Sequence, residues 1–125
     1  MKSAHIKRAS ASVLAGLLIV ATAGAATAAG SLAGSEGDKR FPPALNGNPK
    51  SPCTKAYKAY VAASGHSAYA TTPYSRVVSL YILCGAHLNA PSQKAAEELA
   101  MKSCLATRAH YKVTNGGACE IAASK

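Results

Sequence analysis

The first hydrophobic feature of the chain is unpatterned: Val13-Leu14-Ala15-Gly16-Leu17-Leu18-Ile19-Val20-Ala21 is an uncharged apolar run. Residues 29–50 follow without any hydrophobic period, rich in Gly, Pro, Ser and Asn, and read as a flexible arm. Its one sticky spot is Phe41-Pro42-Pro43-Ala44-Leu45, which can dock as polyproline II, by preference on its own domain, or bind something else. Periodicity begins at Ser51. Ser51-Pro52 supplies an N-cap and a proline at the first helical position, and Tyr57, Tyr60, Val61 and Ser64 then recur at helical spacing. A helix over 52–64 is predicted, with Gly65 placed to end it. His66-Ser67-Ala68-Tyr69-Ala70-Thr71 alternates and reads as a strand. Val77-Val78-Ser79-Leu80-Tyr81-Ile82-Leu83, bounded by Pro73 and Gly85, reads as a second strand buried on both faces.

The clearest element comes next. Ser92 can cap a helix in which Ala96, Leu99, Ala100, Ser103 and Cys104 form one apolar stripe at i, i+3, i+4, i+7 and i+8. Lys94, Glu97, Glu98 and Lys102 fall mostly on the other side, with Glu98 and Lys102 as a favourable i,i+4 pair. Thr114-Asn115-Gly116-Gly117 marks a turn, and Ala118–Ala123 reads as a closing strand with Glu120 facing out. The order helix, strand, strand, helix, strand describes a small α+β domain of two layers spanning 51–125. Its final strand–helix–strand unit calls for a right-handed crossover, with the long helix on one sheet face and the first helix on an edge or that same face.

The opening run changes what the remaining numbers mean. Lys2, Lys7 and Arg8 precede it, and Ala26-Thr27-Ala28 supplies an A-x-A site after it, which is the pattern of a secretory signal peptide over 1–28. Ala23-Gly24-Ala25 is a second choice of site. The run is shorter than the roughly 18–20 residues that cross a bilayer, so no membrane span is expected once the leader is cleaved. Removing 28 of the 125 residues leaves 97, and the loss of three basic residues turns a formal charge of +9 into +6. This length excludes a dinucleotide-binding or pyridoxal-phosphate enzyme fold, and the composition lacks the charge of a disordered chain or a coiled coil. A periplasmic or secreted, monomeric protein is expected.

In such a compartment the four cysteines are expected to form disulfides, each contributing about 2–4 kcal/mol to an alanine-rich domain with a thin core. Three pairings are possible and the sequence does not choose among them. The favoured one joins Cys104, on the long helix, to Cys119 at the start of the closing strand, and Cys53 to Cys84. The competing reading is a metal site drawn from His66, Cys84, His87 and His110. No C-x-x-C or H-x3–5-H spacing supports it.

Catalysis is not expected, and a minor enzyme or an enzyme inhibitor stands only as a further alternative. The only Asp beyond the leader is Asp38, no G-x-S-x-G occurs, and Glu97 and Glu98 are neighbours that cannot flank one bond. No cofactor is implied. The basic residues are spread along the chain, without the clustered face of a specific nucleic-acid binder. Their densest patch is Lys50, Lys55 and Lys58 with Tyr57 and Tyr60. Lys55, Tyr57, Lys58 and Tyr60 are therefore the candidate binding residues. Anionic envelope components or another exported protein are the expected partners.

Three segments together carry a resemblance: Tyr60-Val61-Ala62-Ala63-Ser64-Gly65-His66-Ser67-Ala68-Tyr69-Ala70, Leu99-Ala100-Met101-Lys102-Ser103-Cys104, and Cys119-Glu120-Ile121-Ala122-Ala123. The chain resembles small exported proteins of alphaproteobacteria, some of which bear a name borrowed from 5-aminolevulinate synthase. This chain is too short for that enzyme and has no lysine framework for its cofactor. The resemblance implies a Cys104–Cys119 bridge between helix and strand, and brings no reaction with it. Cys53 and Cys84 depart from the pattern, as does Pro73–Leu83, where a glycine-rich turn is usual.

Overall fold

The structure, a computed structural model, describes residues 30–73 and 81–125. The leader expected over 1–28 lies outside them, as does most of the strand expected over 77–83. Six elements follow in order: β1 (Asp38–Lys39), α1 (Pro52–Ala62), β2 (His66–Thr71), β3 (Cys84–Ala90), α2 (Gln93–His110) and β4 (Glu120–Ser124). The α+β class and the order helix, strand, strand, helix, strand hold from α1 onward.

Both helices start where the capping residues direct. Ser51 Oγ accepts from the Thr54 amide at 3.3 Å with Pro52 in the first turn, and Ser92 Oγ accepts from the Ala95 amide at 3.1 Å. Arg108 in the last turn puts positive charge at the carbonyl end of α2. α1 ends at Ala62, two residues earlier than expected, so Gly65 is not its terminator. Gly65 instead lets Asn89 approach: its amide donates to Asn89 Oδ1 at 2.9 Å, where a Cβ would sit 2.9 Å from that oxygen.

The strands form one antiparallel sheet in the order β1-β4-β2-β3. β3 and β4 both run antiparallel to β2, so α2 carries the chain across β2 between two parallel neighbours. β3 begins where the expected strand was to end. Tyr81–Leu83 have no strand geometry, and pairing starts at Cys84 opposite Thr71.

The layering also differs from expectation. α1 and α2 share no contact, and each packs on its own face of the sheet. β2 explains this, because Ser67–Thr71 are all buried and alternate between two cores. Ala68 and Ala70 meet Ala96, Ala100, Cys104 and Ile121 under α2. Tyr69 points the other way into Tyr60, Cys84, Ala122 and the Tyr57 ring under α1. The sheet is thus the middle of three layers. Each outer layer is stapled to it, by Cys53–Cys84 with a Cα separation of 5.7 Å and by Cys104–Cys119 with 6.1 Å.

The stripe on α2 is narrower than its hydrophobic pattern. Ala96, Ala100 and Cys104 are buried, but Leu99 is on the exposed side. The reason is Gly85 on β3. A Cβ there would overlap the Cys104 amide nitrogen and stand 2.8 Å from the Ala100 carbonyl oxygen, so α2 lies too close to the sheet for a leucine between them.

The segment 29–50 is not a free arm over its described length. Asp38 and Lys39 pair with Ser124 and Ala123 as an edge strand, the Arg40 amide donates to the Ala122 carbonyl at 2.8 Å, and Phe41 packs on the tyrosine core. Lys125 pins it further. This lysine is buried, and its ammonium donates to the carbonyls of Leu32 (3.0 Å), Ser35 (3.1 Å), Val61 (3.0 Å) and Ala63 (2.7 Å), 5.2 Å from the centre of the Tyr60 ring. Backbone contacts of this kind carry no hydrophobic period, which is why the pattern of residues reads as an arm.

Tyr60 and Tyr69 are buried, and burial pushes each phenol up to about 12. An unfolded chain ionises its tyrosines from about pH 10, so above that pH it binds fewer protons than the native state. Stability is complete below pH 10 and falls as pH rises from there toward 12. Lys125 acts in the opposite sense: burial lowers its ammonium from the usual 10.5, so the unfolded chain keeps that proton longer. With Tyr57 also raised, three tyrosines stand against one lysine, and the melting temperature should drop as pH passes 10. Tyr69→Phe keeps the ring and loses the hydroxyl with its 3.5 Å contact to the Cys53 carbonyl and its hydrogen bond with Thr71, so it should flatten the drop. An unchanged alkaline profile in that variant would show that Tyr69 is not its source.

Candidate functional site

α1 is amphipathic in an unusual direction. Its aromatic side is consumed by the core and the arm, leaving its lysines outward. Tyr60 is fully buried with its hydroxyl donating to the Glu36 carbonyl at 2.7 Å, so it is a core residue and not part of a binding surface. Tyr57 is half-buried. Its ring meets Tyr69 edge-on at 5.2 Å and its hydroxyl donates to Glu36 Oε1 at 3.1 Å. Burial, and then this hydrogen bond, raise the Tyr57 phenol. Lys55 and Lys58 are exposed. The structure therefore keeps two of the four candidate binding residues on the surface, one at its margin, and places the fourth inside.

The acids near this surface are already engaged. Glu36 contacts the Lys39 ammonium and accepts from Tyr57, and these two hydrogen bonds hold its carboxyl below the usual glutamate range. Asp38 Oδ2 accepts from Gln93 Nε2 at 2.8 Å. Glu97 Oε1 accepts from Arg40 Nη2 at 2.8 Å and from Ser124 Oγ at 2.6 Å. Three of the five carboxylates thus stitch the arm to the domain. Among the described residues the ion pairs are Lys39–Glu36 and Arg40–Glu97, so Lys50, Lys55 and Lys58 have none.

The arm and α1 also enclose a groove of about 720 Å³, lined by Ala33, Leu45, Thr54, Tyr57, Val61 and Ala62, with Lys58 on its wall. Residue patterning could not find it, because one wall comes from the aperiodic arm. The sequence signal nearest to it is the apolar spot Phe41-Pro42-Pro43-Ala44-Leu45, of which Leu45 lines the groove.

The metal-ligand set does not converge. Cys84 is bonded to Cys53, His66 opens β2 on the exposed side, His87 lies within β3 opposite Ala68, and His110 stacks edge-on with Tyr111 at the end of α2. Among the described residues no three His, Cys, Asp or Glu side chains come together. A larger groove of about 750 Å³ runs along the outer side of β3 between the start of α1 and the end of α2, with Cys53, Leu83, Ala106 and His110 in its walls. No carboxylate lines it among the described residues, so His110 has no partner there for acid–base work. No helix of the described residues is long and apolar enough to cross a membrane. No family model, no curated protein and no solved structure matches the chain.

Proposed function

We propose that this is an exported, disulfide-stabilised binding module that works without catalysis, docking through α1 on an anionic component of the cell envelope. The observation that carries this reading is the exposed pair Lys55 and Lys58 on a helix fixed by Cys53–Cys84, with the neighbouring Glu36 engaged by Lys39 and Tyr57. Unpaired cations one turn apart on a rigid helix lose little freedom when an anionic surface neutralises them. Two disulfides fit an oxidising, extracytoplasmic compartment, and the signal-peptide pattern of 1–28 agrees with it.

The test is sedimentation with vesicles rich in phosphatidylglycerol, against vesicles of phosphatidylcholine. The protein should pellet with the anionic vesicles at low ionic strength and be released at about 0.5 M salt, where screening is strong. Lys55→Glu with Lys58→Glu should remove the binding while leaving the fold intact. Equal pelleting of the double variant and the parent would refute the assignment to α1.

A further inference from the structure

We infer that the groove between the arm and α1 takes the aliphatic part of an anionic amphiphile, whose charged head meets Lys58 and Lys55. This rests on the reading above, that α1 faces an anionic envelope component, and it specifies the chemical class of that component.

The walls decide the class. Ala33, Leu45, Val61 and Ala62 offer only hydrocarbon. The two uncharged polar side chains within the lining already have partners: Thr54 Oγ1 accepts from Ser51 Oγ at 2.8 Å, and the Tyr57 hydroxyl donates to Glu36 at 3.1 Å. A sugar or a nucleotide buried here would lose its water hydrogen bonds without replacement. An acyl chain loses none and gains apolar contact. A volume of about 720 Å³ is of the size that accommodates a small ligand.

The lining supplies one charged group, the Lys58 ammonium, which has no ion pair among the described residues. Lys55 lies on the preceding turn and adds to the same potential. Glu36, the carboxylate bonded to the Tyr57 hydroxyl, does not line this groove and is engaged by Lys39 as well. Apolar walls with positive charge at one wall complement a hydrocarbon chain that ends in a carboxylate, phosphate or sulfate. The groove is also built before any ligand arrives. The Leu32 amide donates to the Ser64 carbonyl at 2.9 Å, the Gly34 amide to the Val61 carbonyl at 2.7 Å, and Lys125 bonds to both the arm and the end of α1. Preorganised walls cost little ordering on binding.

Laurate below its micellar concentration is the probe, followed by titration calorimetry, with neutral dodecyl maltoside and cationic dodecyltrimethylammonium for comparison. Saturable binding of laurate, with weaker or absent binding of the other two, is expected. Lys58→Glu should weaken it about tenfold or more. Ala62→Phe, at an exposed position, fills the groove and leaves both lysines in place. It should abolish laurate binding but preserve pelleting with anionic vesicles, and Leu45→Asp serves the same purpose from the arm side. Laurate binding that survives both filling and charge in the groove overturns the proposal, as does equal affinity for all three detergents. If vesicle pelleting depends on Lys55 and Lys58 while laurate never binds, the groove assignment alone falls. If neither the vesicles nor laurate bind, both readings fall.

Discussion

Reduction of both disulfides is expected to abolish the cooperative thermal transition of this domain near room temperature. Cys104–Cys119 closes a loop of 15 residues and Cys53–Cys84 one of 31. On loop entropy alone the first contributes about 3 kcal/mol and the second a few tenths more. Together they amount to roughly 6–7 kcal/mol, comparable to the whole stability of many small domains. The core gives little in reserve. Under α2 it is made largely of alanine, and each alanine buries far less apolar surface than the leucine or isoleucine of an ordinary core. Circular-dichroism melts of the oxidised and reduced protein, with intact mass to count thiols, measure the effect. Removing Cys53–Cys84 through paired serine substitutions should cost slightly more than removing Cys104–Cys119. A reduced protein that melts within a few degrees of the oxidised one would mean that packing, not the bridges, holds the layers together.

The second large effect is expected at Gly85. Its missing side chain is the space through which α2 reaches the sheet, since a Cβ would overlap the Cys104 amide and lie 2.6 Å from the Ser103 carbonyl carbon. The obstacle is backbone on both sides, so no rotamer change relieves it. Gly85→Val must push α2 outward, opening gaps around Ala96, Ala100 and Cys104 and straining the Cys104–Cys119 bridge. A loss of about 3 kcal/mol, the upper range for overpacking, corresponds to a fall of roughly 10–20 °C in melting temperature for a domain of this size. Gly47→Ala, where a Cβ meets nothing within 4 Å, is the matched control and should melt like the parent. A Gly85→Val protein that melts like that control would contradict the close approach of α2 to β3.

Both effects come from features that the chain discloses unevenly. α2 and β2 are legible because their local pattern gives the element type: Ala96, Ala100 and Cys104 recur on one helical face and are buried, and His66–Thr71 alternates, although Ser67–Thr71 are buried on both faces. β3 is not. Cys84-Gly85-Ala86-His87-Leu88-Asn89-Ala90 contains no β-branched residue and includes two poor strand formers, while the apolar run before it has every local mark of a strand. What makes 84–90 a strand is tertiary: a bridge at Cys84, a helix pressed against Gly85, and Asn89 in a left-handed conformation (φ 56°) bonded to Gly65. The two faces of the sheet were hidden for a related reason. Deciding that Ala68 and Tyr69 belong to different cores requires knowing that neither face is wet.

The site divides in the same way. Lys55 and Lys58 stand out as charge density on a predicted helix, and their exposure follows from the opposite side being aromatic. Tyr60 sits within the same cluster of residues yet lies inside, because the arm folds back over it and Lys125 caps its ring. Half of the groove belongs to a segment whose local pattern is featureless, so its position depends on partners far away in the chain.

Those distant partners set the order in which the molecule must assemble. Lys125 bonds to residues 93 and 90 positions earlier in the arm, and 64 and 62 positions earlier at the end of α1. β2 and β3, by contrast, pair across a single connection. Contacts of such sequence separation are the slowest to close, since the entropy of the intervening chain is lost before they contribute. The hairpin and its two helices are expected to form first and the arm with β4 last, an order that pulse-labelling hydrogen exchange measures. By the same reasoning the amides of Leu32 and Gly34, beside the groove, are expected to exchange with solvent sooner than those of β2, although both are hydrogen-bonded in the native state.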